Sequence, residues 1–586
     1  MGCTNLRRGS WPCLLRTLGL ALGTFVALPS MGWAIQVVST TPSPYALGVD
    51  PGIQDIVVQF DQAPLLPPLA ARVSGVMSGR QPVTTTVDGN AMTIHLPAGV
   101  FFPGEMVRVN LHRNIADGGG GMLTGGYYFT FTIAVPAGSG SWDAPEVFDA
   151  SIIPYFIHGG DMNEDGLPDL AVPNEGTNDV SIFLNQGGSI GAVHNEYGVG
   201  TRPSSIFAED LDNDGDLDLA TADIVSGTMS VLRNNGDGTF MNAVTYASGA
   251  TCRQVHGGDF DGDLDVDLCT TSRGTNQVFF FYNGGAGGFG TGQSYGNVAT
   301  GPFTIQAEDY NLDGHLDIAV GCQDADRVTI LLNDGTGGFS TLGSYATGNG
   351  PWDMVANDYD GDGDCDLLTV LSFGNQISVL RNDGTGAFPT RTFAATDAFP
   401  LGCHAVDIDG DHDIDAISAN FNAGTANLFL NDGTGSLALA HTFDVNLTGS
   451  YPWASDLDGD GDLDISIVDE NSDLLYIFYQ SGVPAGSGEH SNLPSAAVTV
   501  RPQPMRIGDG ADLLLRNILE PTRIDIVGPD GRVVRVIEAS SFDPKNPVLH
   551  WDGRDQAGRE VAPGQYFLSL HTPRGAHLAG QIVAIR

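Results

Sequence analysis

Seven nine-residue stretches carry aspartate at alternate positions: DMNEDGLPD from Asp161, DLDNDGDLD from Asp210, DFDGDLDVD from Asp259, DYNLDGHLD from Asp309, DYDGDGDCD from Asp358, DIDGDHDID from Asp407 and DLDGDGDLD from Asp456. Calcium, a hard cation, takes about six to eight oxygen ligands, and carboxylates at alternate positions of a loop turn toward one centre. The candidate metal ligands are the side chains at positions 1, 3, 5 and 9. They are Asp161, Asn163, Asp165 and Asp169 in the first copy, Asp210, Asp212, Asp214 and Asp218 in the second, and Asp259, Asp261, Asp263 and Asp267 in the third. The fourth offers Asp309, Asn311, Asp313 and Asp317, the fifth Asp358, Asp360, Asp362 and Asp366, the sixth Asp407, Asp409, Asp411 and Asp415, and the seventh Asp456, Asp458, Asp460 and Asp464. Position 7 is expected to add a backbone carbonyl, and glycine at position 6 the sharp turn. Leu264 and His412 stand at position 6 of the third and sixth copies, which carry Gly262 and Gly410 at position 4 instead. Weaker binding is expected in those two. The pattern predicts up to seven Ca2+ ions, one per copy, filling at roughly 0.1–1 mM as in extracellular modules.

The elements that position these loops are read from what repeats with them. Successive copies begin 49, 49, 50, 49, 49 and 49 residues apart. Proline stands seven residues before the first aspartate at Pro154, Pro203, Pro302, Pro351 and Pro400, and asparagine twenty-four after it at Asn185, Asn234, Asn283, Asn333, Asn382 and Asn431, with Gln480 in the last copy. A whole supersecondary unit therefore repeats. In the second copy the apolar runs predict strands over Ser204–Glu209, Leu217–Ala222, Thr228–Arg233 and Phe240–Tyr246, with Asn235-Gly236-Asp237-Gly238 as a hairpin signal. An EF-hand needs helices and a glutamate at position 12, where this copy has Thr221. Four-stranded units of about 50 residues suit the blades of a β-propeller.

The nine-residue loop after a strand resembles the FG-GAP/VCBS repeats of integrin α-subunit propellers, over roughly residues 142 to 480. The resemblance implies an all-β, seven-bladed β-propeller with calcium in its hairpin loops and partners meeting the face away from calcium. The last unit stops near Gln480, one strand short, and Trp142 to Ala150 is in phase to supply the missing outer strand.

Residues 35–136 alternate apolar and polar positions with the turn spacing of an Ig-like β-sandwich. After a linker at 482–496, residues 497–586 resemble FlgD-like Ig domains and related sorting domains through Val527-Gly528-Pro529-Asp530-Gly531-Arg532, His550-Trp551-Asp552-Gly553 and Pro563-Gly564-Gln565-Tyr566-Phe567. Residues 1–34 read as a signal peptide: Arg7, Arg8 and Arg16 precede the apolar run Leu18 to Leu28, then Gly32-Trp33-Ala34. A secreted or cell-surface protein without a transmembrane segment is expected. Cys252, Cys269, Cys322, Cys365 and Cys403 lack metal-site or disulfide spacing, which favours burial as small apolar residues. With 25 basic against 70 acidic residues and a net charge of −45, nucleic acid and anionic lipid are excluded as partners.

The loops at the other ends of the predicted strands carry Tyr155, Arg202, Arg253, Phe303, Trp352, Phe399 and Tyr451, a mixture of aromatic residues and arginine typical of binding surfaces and equally of interblade packing. Three residues before each first aspartate stand His158, Phe207, His256, Gln306, Val355, His404 and Trp453, predicted to ring the central channel. No His-Glu-x-x-His or phosphate loop is present. The expectation is a monomeric, non-enzymatic binding or adhesion module for a protein or glycan. The alternatives are a polysaccharide lyase or hydrolase using His256, His404 and Arg253, and a passive surface-layer or matrix component.

Overall fold

The computed structural model describes residues 34–481 without a break and, beyond them, the segments 497–501, 505–506, 511–516, 523–527, 533–538, 548–551, 553–556, 558–559, 561, 564–572 and 575–585. Residues 1–33 of the signal-peptide reading at 1–34, the linker and much of the C-terminal motif fall outside the described residues. Among those described, one 3-10 turn at Gln323–Ala325 is the sole helical element.

Each repeat folds into a four-stranded antiparallel sheet. In the second, Pro203–Glu209, Asp218–Asp223, Thr228–Leu232 and Val244–Ala247 pair in sequence order. The last strand starts four residues later than the apolar pattern predicts, because Phe240 makes only an isolated bridge to Asn234 and closes the turn. The first two strands are buried at every residue, whereas Val244–Ala247 is largely exposed. Such a gradient arises when sheets stand radially with their first strands innermost. First strands of successive repeats touch in order from His158–Gly160 to Gly449–Ser455, and these two touch each other. The ring is closed by the two ends of the repeat region: Glu146–Asp149 pairs antiparallel with Leu474–Phe478, and Trp142 bridges Gln480.

Apolar layers between neighbouring sheets form the core of this β-propeller arrangement. One layer joins Cys269, Val278 and Phe280 of the third repeat to Ile305, Ile318 and Val320 of the fourth. All five described cysteines are free and buried in such layers. Their burial pushes each thiol's pKa up, so they behave as small apolar residues.

The N-terminal region is two packed sheets. Val37–Thr41, Asp55–Phe60, Ala91–His95 and Thr84–Asp88 form one, and Ala46–Val49, Tyr127–Ile133, Met106–Leu111, Ala71–Gly75 and Gly79–Gln81 the other. Alternate residues of Asp55–Phe60 point inward and meet Val107, Val109, Phe129 and Phe131. Near the C-terminus the described strands form one three-stranded and one five-stranded sheet.

Candidate functional site

Every acidic nonapeptide is the hairpin between the first and second strands of its sheet. Its backbone is held by its own carboxylates. The position 1 aspartate accepts the position 6 N–H in six repeats, for example Asp358 from Gly363 at 2.9 Å and Asp259 from Leu264 at 2.9 Å. The position 5 carboxylate accepts the position 7 N–H in all seven. Positions 4 and 6 both have positive φ throughout, including Leu264 at 72° and His412 at 73°. The third and sixth loops, for which weaker binding is expected, therefore share the backbone turn of the others. These loops keep the conformation at the expense of about 1–2 kcal/mol of strain at a non-glycine residue.

The position 9 aspartate ties the loop to the rest of its sheet. One oxygen of Asp366 accepts the Tyr359 N–H at 3.2 Å and the other the Asn382 N–H at 2.7 Å, and the in-phase residue of every repeat, from Asn185 to Gln480, makes the latter bond. Asn382 Nδ2 then donates to Tyr310 O of the preceding repeat and to Cys365 O of its own. The same clip links each of the first six repeats to its predecessor, with Asn185 reaching Leu457 O of the seventh across the closure. Sequence phase marks these asparagines but does not reveal this role.

Carboxylate oxygens gather within 4.8 Å of one another in five loops: Asp210, Asp212 and Asp218; Asp259, Asp261 and Asp263; Asp358, Asp360 and Asp366; Asp407, Asp409 and Asp415; Asp456, Asp458 and Asp464. Burial first, then the neighbouring aspartates, raises Asp218, Asp366, Asp415 and Asp464 to about 8. Oδ1 of Asp210, Asp212, Asp360 and Asp409 is buried without a hydrogen-bond donor. Orphaned acceptors and crowded carboxyls fit a hard divalent cation bound through oxygen, which would hold these groups ionised. Loops one and four differ. There the Asn163 and Asn311 amides are occupied by Asp165 and Asp313 of their own loops, at 2.9–3.0 Å.

The loop end of the ring is covered by the N-terminal sheets, a contact that sequence spacing does not foretell. Arg72, 2% exposed, lies between the second and third loops and donates to Asp210 O at 2.7 Å, Asn213 Oδ1 at 3.0 Å, Glu209 Oε1 at 3.2 Å and Leu264 O at 3.3 Å. Arg80 reaches Asp210 Oδ2 at 3.3 Å and Arg113 reaches Asp261 Oδ1 at 2.9 Å. Arg108 pairs with Glu209, while the Tyr45 and Tyr128 hydroxyls donate to Glu308.

The FG-GAP-like repeat family matches residues 161–221, 210–270, 259–320, 309–369, 358–418 and 407–467, just over half of the chain. The chain belongs to that family. No curated protein matches it by sequence. Among solved structures, BBS1N in complex with ARL6DN, soaked with lead, is 13% identical with a TM-score of 0.43, covering 60% of this chain and 99% of that one. A functionally unknown protein from Desulfotomaculum acetoxidans is 11% identical at 0.38, covering 64% and 96%. PorZ, a surface component of the type-IX secretion system of Porphyromonas gingivalis, is 14% identical at 0.38, covering 93% and 75%. At this level the likeness extends to no shared ligand or activity.

Inside this FG-GAP-like ring, His158, Phe207, His256, Gln306, Val355, His404 and Trp453 line one cavity of about 160 Å3, together with Met77, Glu105 and Arg108 of the N-terminal sheets and the turns beside them. His158 and His404 pack on Trp453 with ring centroids 4.6 and 4.4 Å away, and His256 packs on Phe207 at 5.0 Å. Burial lowers His158 to about 4 and His256 and His404 to about 3, so all three are neutral at physiological pH.

At the far end of the first strands, about 20 Å from the loops, Tyr155, Arg253, Phe303, Trp352 and Tyr451 line one pocket. Phe303 and Tyr451 are buried, Tyr451 stacking on Phe156, and serve packing. Arg202 lies outside the pocket and pairs with Glu175; Phe399 is also outside, its ring 5.7 Å from that of Trp352. Phe156, Gln254 and Tyr451 line both pocket and cavity and so form the floor between them.

Proposed function

We propose that this FG-GAP-like protein is a secreted, calcium-stabilised binding module. In this reading residues 142–481 form a seven-bladed propeller, 35–136 an Ig-like domain that caps it, and 497–586 a FlgD-like domain that attaches or spaces it. The ligand, protein or glycan, meets the ring at the mouth lined by Tyr155, Arg253 and Trp352. One observation carries the reading: the N-terminal sheets cover the acidic end, so a partner approaches the ring's axis from the other mouth, where aromatic and arginine side chains converge. Loops two, three, five, six and seven would hold calcium through the aspartates clustered in them, each ion screening its carboxylates from one another. Members of this family are generally non-enzymatic. The histidines' contacts with Trp453 and Phe207 serve packing, and among the described residues no orienting partner beyond their own strands supports the lyase alternative. Among the described residues no helix is long and apolar enough to cross a membrane.

The test is an array of glycans and extracellular proteins probed with the calcium-loaded chain. Retention without product release, weakened at least tenfold by Trp352→Ala, is expected. Release of cleaved product, or retention indifferent to Trp352, would discard this reading.

A further inference from the structure

Arg253 stands apart from the other arginines of the ring. Arg202, Arg233, Arg273 and Arg381 pair with Glu175, Asp212, Asp324 and Asp360, and Arg327 and Arg391 donate to the carbonyls of Ser344 and Ala346. Arg253 lies in the first strand of the third repeat, where its carbonyl accepts the Ser204 hydroxyl at 2.6 Å. Its guanidinium sits 4.5 Å over the Phe303 ring, and its Nε is buried without an acceptor. Among the described residues no carboxylate comes within ion-pair distance of it. A half-buried cation on an aromatic face, without a counter-ion, pays a desolvation cost that an anionic ligand would relieve.

A second donor is available beside it. The Tyr155 hydroxyl accepts the Trp352 indole N–H at 2.8 Å, which directs its own proton elsewhere. Both residues line the same pocket, whose free volume of about 20 Å3 admits one small group and not a sugar ring. The acids around it are already engaged. Glu175 pairs with Arg202, Glu470 accepts from Ser450 at 2.8 Å, and Asp353 accepts from Gln254 at 3.3 Å and from the Cys403 N–H at 3.1 Å. Their negative field disfavours a dianion and tolerates one planar monoanion. Outward from the pocket the rings continue, Trp352 to Phe399 to Phe373, with centroids 5.7 Å apart at each step and Phe373 54% exposed. Sugar rings stack on such a rim, whereas a run of acidic residues would be repelled by a chain of net charge −45.

We infer that Arg253 and the Tyr155 hydroxyl form a carboxylate subsite, and that the ligand of this mouth is a glycan with isolated carboxylated sugars. Trp352 and Phe399 carry the neighbouring sugar faces. The inference rests on the mouth being the ligand face.

The experiment titrates the full chain, calcium-loaded, with four probes: an otherwise neutral oligosaccharide ending in a glucuronate, the same oligosaccharide with that carboxyl reduced to the alcohol, the same with sulfate in its place, and an acidic peptide. The acid form should bind about 10- to 100-fold more tightly than the reduced form, the range of a charge-assisted pair. Arg253→Gln should weaken the acid form at least tenfold more than it weakens the reduced form, and Tyr155→Phe should narrow the gap between the two forms in part. Trp352→Ala should weaken both. Should Arg253→Gln not fold, Tyr155→Phe and the reduced probe carry the same comparison. Equal binding of acid and reduced forms overturns the subsite and leaves the mouth standing; tighter binding of the sulfate form overturns the carboxylate assignment. An acidic peptide that binds through Arg253 where no oligosaccharide does overturns the glycan. Binding of neither class, in wild type or variant, overturns the mouth itself.

Discussion

His158 shows how burial converts a titratable side chain into a packing element. Its ring lies against Trp453, Nδ1 faces the Gly159 carbonyl at 2.9 Å, and its pKa falls to about 4, through burial first and then the Arg108 charge. An unfolded chain protonates this imidazole below its ordinary 6.5, but the folded chain does not until about 4. Its contribution to stability is therefore full above pH 6.5 and is lost as pH falls through that window, by roughly 1.4 kcal/mol per pH unit. Glu105 and Glu308 line the same cavity and are raised to about 7, which has the opposite sign: their contribution declines as pH rises from 4.5 to 7. Only a variant separates the two. His158→Gln should gain stability relative to wild type between pH 6.5 and 5, read from urea unfolding in saturating calcium. A difference that does not vary with pH would show that the imidazole is not held neutral.

At the scale of the sheet, the element that matters most is one whose phase was legible and whose role was not. A 49-residue period announces four strands, an acidic hairpin and an asparagine at a fixed offset, because each must fit the same radial unit. Closure was legible for the same reason, since a unit missing its fourth strand at one end and a spare strand at the other can only complete each other, as Glu146–Asp149 and Leu474–Phe478 do. The asparagine clip was not, because its acceptors are backbone carbonyls, which carry no residue signature. Asn382 donates to Tyr310 O and Cys365 O, 72 and 17 residues away. Asn382→Asp keeps the size, removes both donors and buries a charge beside two carbonyls. It should cost about 2–4 kcal/mol in urea unfolding, with early protease cleavage between the fourth and fifth repeats. Wild-type stability in this variant would mean that apolar layers alone hold neighbouring sheets together.

Over the whole molecule, buried charges join apolar contacts such as those of Met77 and Phe102 between the N-terminal sheets and the ring. Repeats and loops are periodic and so visible in one chain, but Arg72 is a single arginine in an otherwise ordinary strand, and its partner Glu209 lies 137 residues on. Nothing in local spacing distinguishes it from a solvated side chain. In the folded protein it is buried with Glu209 and Asp210, and Arg80 and Arg113 reach Asp210 and Asp261, which are themselves candidate calcium ligands. On the calcium reading, ions and arginines then share the task of neutralising loops two and three, and the capping domain is coupled to the metal. Chelation should lower the thermal midpoint, since the loops would be left as crowded carboxylates. Arg72→Met should cost about 3–5 kcal/mol even with calcium present, by leaving Glu209 buried beside one fewer cation. The penalty should be larger in chelator, where Arg80 alone remains on Asp210, and there limited proteolysis should release the N-terminal domain first. If chelation leaves the midpoint unmoved, the acidic hairpins stand without metal; if the Arg72→Met penalty is the same with and without calcium, domain and ions act independently and the cap is held by the remaining interface alone.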